Sequence, residues 1–342
     1  MLPYVNRNVS KKGGGESVAQ KVLLFGDIGI DDIIALIYGA LNEEIEIVGI
    51  VADYGNVTRD NALKAIHYIT NLLGFDELEV PIIVGAEMPM TGETPDPVPE
   101  IHGEYGMGPI IPPEDGAVEV SENFFDIVPI IEEHQNDLVI VNIGRLTSLA
   151  TMFLLYKDLM EKVSEIYIMG GAFWVPGNVT AVSEANFHGD PVAAQLVLTN
   201  AENVTIIPLN VTDQAIVTEE MVDYIDQVGS IEIVKPMIDY YYDFYKKRNP
   251  DLQGSPMHDV LTLMATVSGD MFTFRELPVE IVQIRKGTER GQSIADIRQY
   301  ENIEDETDKK IKTHRIAFEL DYSQFFIDFM TNMSGQHFYL KV

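Results

Sequence analysis

Three carboxylates, Asp27, Asp31 and Asp32, fall within the segment Gly26-Asp27-Ile28-Gly29-Ile30-Asp31-Asp32. At such spacing they repel one another unless a cation or protons intervene. A hard divalent cation is the natural partner, and calcium accepts about six to eight oxygen ligands. The same residues also suit a helix start, where Asp31 and Asp32 would cap free amides and favour the dipole. A second group, Met257-His258-Asp259, follows Gly254-Ser255-Pro256 and opens an apolar segment. A histidine beside an aspartate offers a proton donor and a metal ligand, or again a helix cap. A third stretch runs from Met169-Gly170-Gly171-Ala172-Phe173-Trp174 through Gly177-Asn178 to Glu184-Ala185-Asn186. Its amides and carboxylate suit the hydroxyls of a sugar, and its glycines permit close approach of backbone to ligand. An ordinary turn-rich loop has the same composition.

The elements that must position these groups alternate. Buried strands are predicted at Lys21 to Phe25, Glu46 to Ala52, Pro81 to Val84, Asp137 to Val141, Ile166 to Ile168 and Val204 to Ile207. Helical patterns occupy Ile33 to Leu41, Thr58 to Leu73 and about Leu146 to Tyr156. Strands apolar on both faces and alternating with helices predict an α/β, Rossmann-like fold: a mainly parallel central sheet with helices on both faces. In such sheets ligands bind beyond the carboxyl ends of strands, where Asp27 stands. Glu87 to Asp115 is a Pro-, Gly- and Met-rich insert of a length that suits a functional loop. Pro236 to Lys247 reads as a helix carrying Tyr240, Tyr241, Tyr242, Phe244 and Tyr245, and further strands are expected at Val279 to Ile284 and Arg315 to Leu320. Residues 1–20 read as a flexible head and 21–342 as a single domain, with no linker or internal repeat.

Composition narrows the function classes. The 342 residues include 54 acidic against 23 Lys and Arg, a formal charge of −31. So acidic a surface repels a phosphate backbone, which argues against nucleic-acid binding. A 46% apolar content argues against disorder. The chain has no cysteine, so disulfides, thiolate nucleophiles and cysteine zinc sites are excluded. No apolar run reaches membrane-spanning length and the polar head lacks a signal core, so a cytoplasmic protein without a membrane partner is expected.

Taken in order, the motifs resemble the nucleoside hydrolases that prefer inosine, uridine and related ribonucleosides. That family carries Asp-x-Asp-Pro-Gly-x-Asp-Asp after its first strand, and Phe25-Gly26-Asp27-Ile28-Gly29-Ile30-Asp31-Asp32 is the matching stretch. The likeness continues at Tyr54-Gly55-Asn56, His102 to Gly108, and Ile143-Gly144-Arg145-Leu146-Thr147-Ser148. It runs on through Met169 to Ala172, Asn178 to Thr180, Glu184 to Asn186, Asp190-Pro191 and Gly254 to Asp259, covering about residues 21 to 300. Phe25 stands where an aspartate is usual, Ile28 where proline is, Arg145 where glycine or proline is common, and Asn210 where aspartate often precedes Val-Thr. The first removes a supporting carboxylate; the second frees a φ that proline would restrict.

The resemblance implies hydrolysis of the ribosyl N-glycosidic bond with Ca2+ as cofactor. The implied calcium ligands are Asp27, Asp32, Asp259 and the main-chain carbonyl of Ile143. Asp27 would be the general base and His258 the acid for the departing base. Asp31 would bind the 2′-hydroxyl; Asn178, Glu184 and Asn186 the 3′- and 5′-hydroxyls; Asn56 the sugar or nearby base edge. Met169 would pack on the ribose, or serve simply as core. His102 with the insert, and the helix around Tyr241 and Tyr245, would form a lid. A homodimer or homotetramer acting in nucleobase salvage is implied as well. A phosphatase reading fails because position 29 is glycine and no basic residue lies between Gly26 and Tyr38. A non-catalytic nucleoside or sugar sensor is favoured by Phe25 and Ile28 but leaves the retention of Asp27, Asp32, His258 and Asp259 without a purpose.

Overall fold

The computed structural model describes residues 19–74, 80–113, 123–229, 231–298 and 312–339; most of the expected head, residues 1–18, lies outside the described residues, as do Glu114 and Asp115 of the insert. The strands are β1 (Gln20–Gly26), β2 (Ile45–Ala52), β3 (Ile82–Val84), β4 (Leu138–Asn142), β5 (Glu165–Met169), β6 (Val204–Ile207), β7 (Ile216–Thr218), β8 (Gly254–Pro256), β9 (Phe272–Leu277), β10 (Val279–Ile281), β11 (Ser293–Ala295) and β12 (His314–Leu320). The helices are α1 (Ile30–Leu41), α2 (Arg59–Leu73), α3 (Pro99–His102), α4 (Ile127–Glu133), α5 (Thr147–Leu155), α6 (Lys157–Met160), α7 (Ala185–Gly189), α8 (Pro191–Asn200), α9 (Leu209–Thr212), α10 (Glu219–Val228), α11 (Val234–Arg248), α12 (His258–Met264) and α13 (Tyr322–Ser334).

Eight strands form one sheet in the order β3-β2-β1-β4-β5-β6-β12-β9. All neighbours pair parallel except β12 with β9, an antiparallel edge. Side chains alternate across β1: Val22 and Leu24 join a core with α1 and α12, while Leu23 and Phe25 join another with α5 and α8. Both faces are thereby covered, as continuous apolar runs require. The strand order departs in opposite directions from β1, toward β2 on one side and β4 on the other. A crevice opens at such a reversal, beyond the carboxyl ends of the strands.

Most expected elements are present, with instructive shifts. Helix α1 begins at Ile30 rather than Ile33, because Asp32 Oδ2 accepts from Gly29 N–H at 2.7 Å and caps the first turn. The strand expected over Val279 to Ile284 is only the three residues of β10, paired with β11 outside the main sheet. The insert folds a short helix, α3, whose Pro99 carbonyl accepts from the Tyr240 hydroxyl of α11 at 3.2 Å.

Candidate active site

The loop after β1 delivers Asp27, and the first turn of α1 delivers Asp31 and Asp32; all three are buried. Asp259, in the first turn of α12, joins them from an adjacent helix. Ligand oxygens of Asp31, Asp32 and Asp259 lie within 4.8 Å of one another. Asp31 Oδ1 and Asp32 Oδ1 meet no hydrogen-bond partner among the described residues. Burial raises all of these carboxyls: Asp31 to about 6, Asp32 and Asp259 well above the usual range. Mutual repulsion among Asp27, Asp31 and Asp32 pushes Asp32 further. Hard oxygens that are buried, crowded and left without donors fit a divalent cation.

Asp27 is engaged differently. Its Oδ2 accepts from Asn56 N–H at 3.0 Å and pairs with Arg145 Nη1, while Asn56 Nδ2 lies 3.3 Å from Oδ1. The same Asn56 amide is 3.4 Å from Asp32 Oδ2, so one side chain spans both carboxylates. Burial raises the Asp27 pKa, and Arg145 opposes the rise. The turn directly after it holds Ile28 at φ 44°, unusual for a β-branched residue and outside the reach of proline. Phe25 is fully buried in the apolar core on the α5 side of the sheet.

Beyond β4 and β5 lies the amide cluster. Asn186 Nδ2 donates to the carbonyls of Ile143 at 2.9 Å and Met169 at 3.1 Å, and Met169 Sδ lies at 3.4 Å. Glu184 caps α7, accepting from Asn186, Phe187 and Gly171 amides at 2.7, 3.1 and 3.0 Å. Asn178 is exposed, and its Oδ1 accepts from Ala185 N–H at 2.9 Å.

A third wall carries the imidazoles. His102 Nδ1 accepts from Ile30 N–H at 3.1 Å and lies 3.9 Å from Asp31 Oδ1. Its proton is therefore on Nε2, and burial holds its pKa down to about 3. Gly29 is required where the turn passes this ring, since a Cβ there would lie 2.7 Å from both His102 Cε1 and Asn56 Nδ2. His258 sits between the Thr212 hydroxyl, 2.8 Å from Nδ1, and the Tyr245 hydroxyl, 3.1 Å from Nε2. Burial lowers its pKa to about 4. Tyr245 in turn lies 3.3 Å from the Tyr241 hydroxyl, and the Tyr241 ring packs 5.3 Å from His102.

The site residues expected from sequence are thus linked through one network, with Asn178 at its exposed rim. Two differences concern the carboxylates: the clustered trio contains Asp31 and not Asp27, and Glu184 is occupied by backbone amides. Two contributors, Arg145 and Asp53, were not foreseen, and a third, Tyr245, was expected only in a lid. Arg145 was legible only as an unusual residue in Ile143-Gly144-Arg145. Tyr245 belonged to an aromatic stripe with many members. Asp53, directly after β2, is fully buried against the Ser148 hydroxyl and Ala86 N–H, with Oδ2 unpartnered among the described residues.

Residues 22–327 match the family model described as inosine-uridine preferring nucleoside hydrolase. The chain is 30% identical over 269 residues to uridine nucleosidase 1 of Arabidopsis thaliana, covering 77% of this chain and 78% of that protein. It is 28% identical over 284 residues to the inosine-uridine preferring nucleoside hydrolase of Crithidia fasciculata, covering 82% and 88% respectively. A purine-preferring ribonucleoside hydrolase from Gardnerella vaginalis superposes with a TM-score of 0.82 at 29% identity, covering 92% of this chain and 98% of that one. With its parallel sheet, its buried carboxylates beyond β1 and its likeness over residues 22–327, the chain belongs to the inosine-uridine preferring nucleoside hydrolase family and is a nucleoside hydrolase.

Proposed function

We propose that the enzyme is a calcium-dependent ribonucleosidase that releases free nucleobase and ribose, and that Asp27 and His258 carry its proton transfers. The supporting observation is the buried trio Asp31, Asp32 and Asp259, with two oxygens lacking donors, set beside Asp27 through Asn56. Asp27, Asp32, Asp259 and the Ile143 carbonyl would hold the ion, with Asp31 alongside. When bound, calcium compensates the carboxylates and offers a Lewis acid to vicinal hydroxyls.

The remaining chemistry belongs to the chain. Asp27 takes a proton from the attacking water as its oxygen bonds to C1′ of the ribose. The C1′–N bond breaks with its electron pair moving to the base, through an oxocarbenium-like state. Asp31 accepts from the 2′-hydroxyl. Asn178, Glu184 and Asn186 orient the 3′- and 5′-hydroxyls, Asn56 the sugar edge, and Met169 packs against the ring. His258, with Tyr245, protonates the leaving base, and His102 closes the site beside Tyr241. The reading extends to a cytoplasmic homodimer or homotetramer in nucleobase salvage, on the strength of the family likeness.

The deciding experiment is ribose release from inosine, adenosine, guanosine, uridine and cytidine, before and after chelation of calcium. Release lost on chelation and restored by calcium supports the reading, with Asp27→Ala expected to abolish it in a folded protein. Persistent release without divalent ions removes the calcium dependence, and no release from any nucleoside with calcium bound turns the reading toward a sensor.

A further inference from the structure

Arg145 is nearly buried, with its side chain 11% exposed, and its Nη1 converges on three acceptors. It pairs with Asp27 Oδ2 and reaches Asn56 Oδ1 at 3.1 Å and Asn186 Oδ1 at 3.4 Å. The fold makes room for it. A Cβ at Gly189, at the end of α7, would lie 2.8 Å from Arg145 Cγ and 2.9 Å from Nε, so glycine leaves a slot for the arginine stem. With Asn56 also bound to it, Asp27 has both oxygens engaged, whereas Asp31 Oδ1 and Asp32 Oδ1 have no hydrogen-bond partner among the described residues.

We infer that Arg145 is a built-in counter-ion that competes with the divalent cation for Asp27. The inference rests on the calcium reading above and adds to it a residue that sets cation affinity. Four carboxylates, Asp27, Asp31, Asp32 and Asp259, are buried together, and a guanidinium in direct contact neutralises one of them without an ion. A divalent ion drawing on Asp27 must displace that contact or forgo that ligand, and either course weakens its binding. Asn56 and Asn186 supply acceptors that keep the displaced guanidinium within the site. Asp27 is thereby withheld as a base until the cation arrives.

The test is calorimetric titration of calcium chloride into the chelator-stripped full chain at about pH 7.5, comparing Arg145→Gln, Arg145→Ala and Arg145→Lys with the parent. Glutamine keeps a polar stem in the Gly189 slot, so it reports on charge where alanine also reports on packing; circular dichroism checks that each variant is folded. Arg145→Gln and Arg145→Ala should bind calcium about tenfold more tightly or better, and Arg145→Lys should stay within about threefold of the parent. Equal or weaker calcium binding by both Gln and Ala variants overturns the competition while leaving the calcium reading intact. Absence of calcium binding in parent and variants alike overturns both.

Discussion

At the scale of residues, His258 decides how the leaving base obtains its proton. Burial holds its pKa down to about 4, so near neutral pH it is an uncharged imidazole. Both of its nitrogens already have hydroxyl neighbours, Thr212 and Tyr245. The donor is then an N–H or O–H within the His258–Tyr245 pair, not a resting imidazolium. His258→Ala should slow inosine by about 10²–10⁴-fold, the usual worth of general acid catalysis. The same variant should lose less than about tenfold on p-nitrophenyl riboside, whose leaving group needs no proton. Tyr245→Phe should show a smaller selective loss of the same sign. Equal losses on both substrates would remove proton donation from this pair. The carboxylates and His258 were legible in sequence because their chemistry is written in residue type and local spacing. Their partners were not: Arg145 meets Asp27 across 118 positions, and Thr212 meets His258 across 46.

At the scale of elements, the turn between β1 and α1 sets where Asp27 points. Ile28 holds it at φ 44°, with the isoleucine side chain fully buried. Proline, usual in the family at this place, fixes φ near about −65° and cannot take this conformation. Ile28→Pro should therefore not improve the enzyme: it should cost about 3 kcal/mol or more and reduce turnover at least about tenfold by moving Asp27. Ile28→Gly keeps the positive φ but forfeits buried side-chain volume, so it should lose about 1–3 kcal/mol in thermal unfolding while retaining most activity. A proline variant with parental turnover would show that the turn does not position the base. The parallel strands were legible because each is apolar on both faces. Strand β9, Phe272-Thr273-Phe274-Arg275-Glu276-Leu277, mixes charged with apolar residues, as an edge strand does, and only its pairing with β12 reveals it. The start of α1 was misplaced because Asp32 serves as cap through one oxygen and offers the other to the site, a division invisible in residue type.

At the scale of the whole molecule, the buried acids make stability depend on pH in a direction opposite to ordinary acid denaturation. Burial raises Asp53 to about 7 and Asp31 to about 6. A carboxyl whose folded pKa is raised contributes stability fully present below its unfolded pKa and lost as pH rises through the folded value. The buried histidines act the other way: His102, lowered to about 3, and His258 and His314, both lowered to about 4, contribute stability present above their unfolded pKa and lost as pH falls through the folded one. Between about pH 6 and about pH 8 both kinds of group act, the unfolded histidines shedding protons while the folded carboxyls shed theirs, so the two slopes oppose each other. Substitution isolates one carboxyl from the rest: in the chelated protein the contribution of Asp53 should fall by roughly 1 kcal/mol between about pH 6 and about pH 8. Asp53→Asn keeps an acceptor for Ser148 and Ala86 but cannot ionise, so relative to the parent it should gain that amount over the interval. Saturating calcium should flatten the remainder, because an ion held by Asp32 and Asp259 replaces their protons and stabilises the folded state in proportion to the logarithm of its concentration. Sodium chloride offers the control: screening of the −31 surface raises stability at any pH but leaves the slope in place, since buried groups are poorly screened. A stability difference between parent and Asp53→Asn that stays constant from about pH 6 to about pH 8 would mean that Asp53 does not titrate within the fold over that interval.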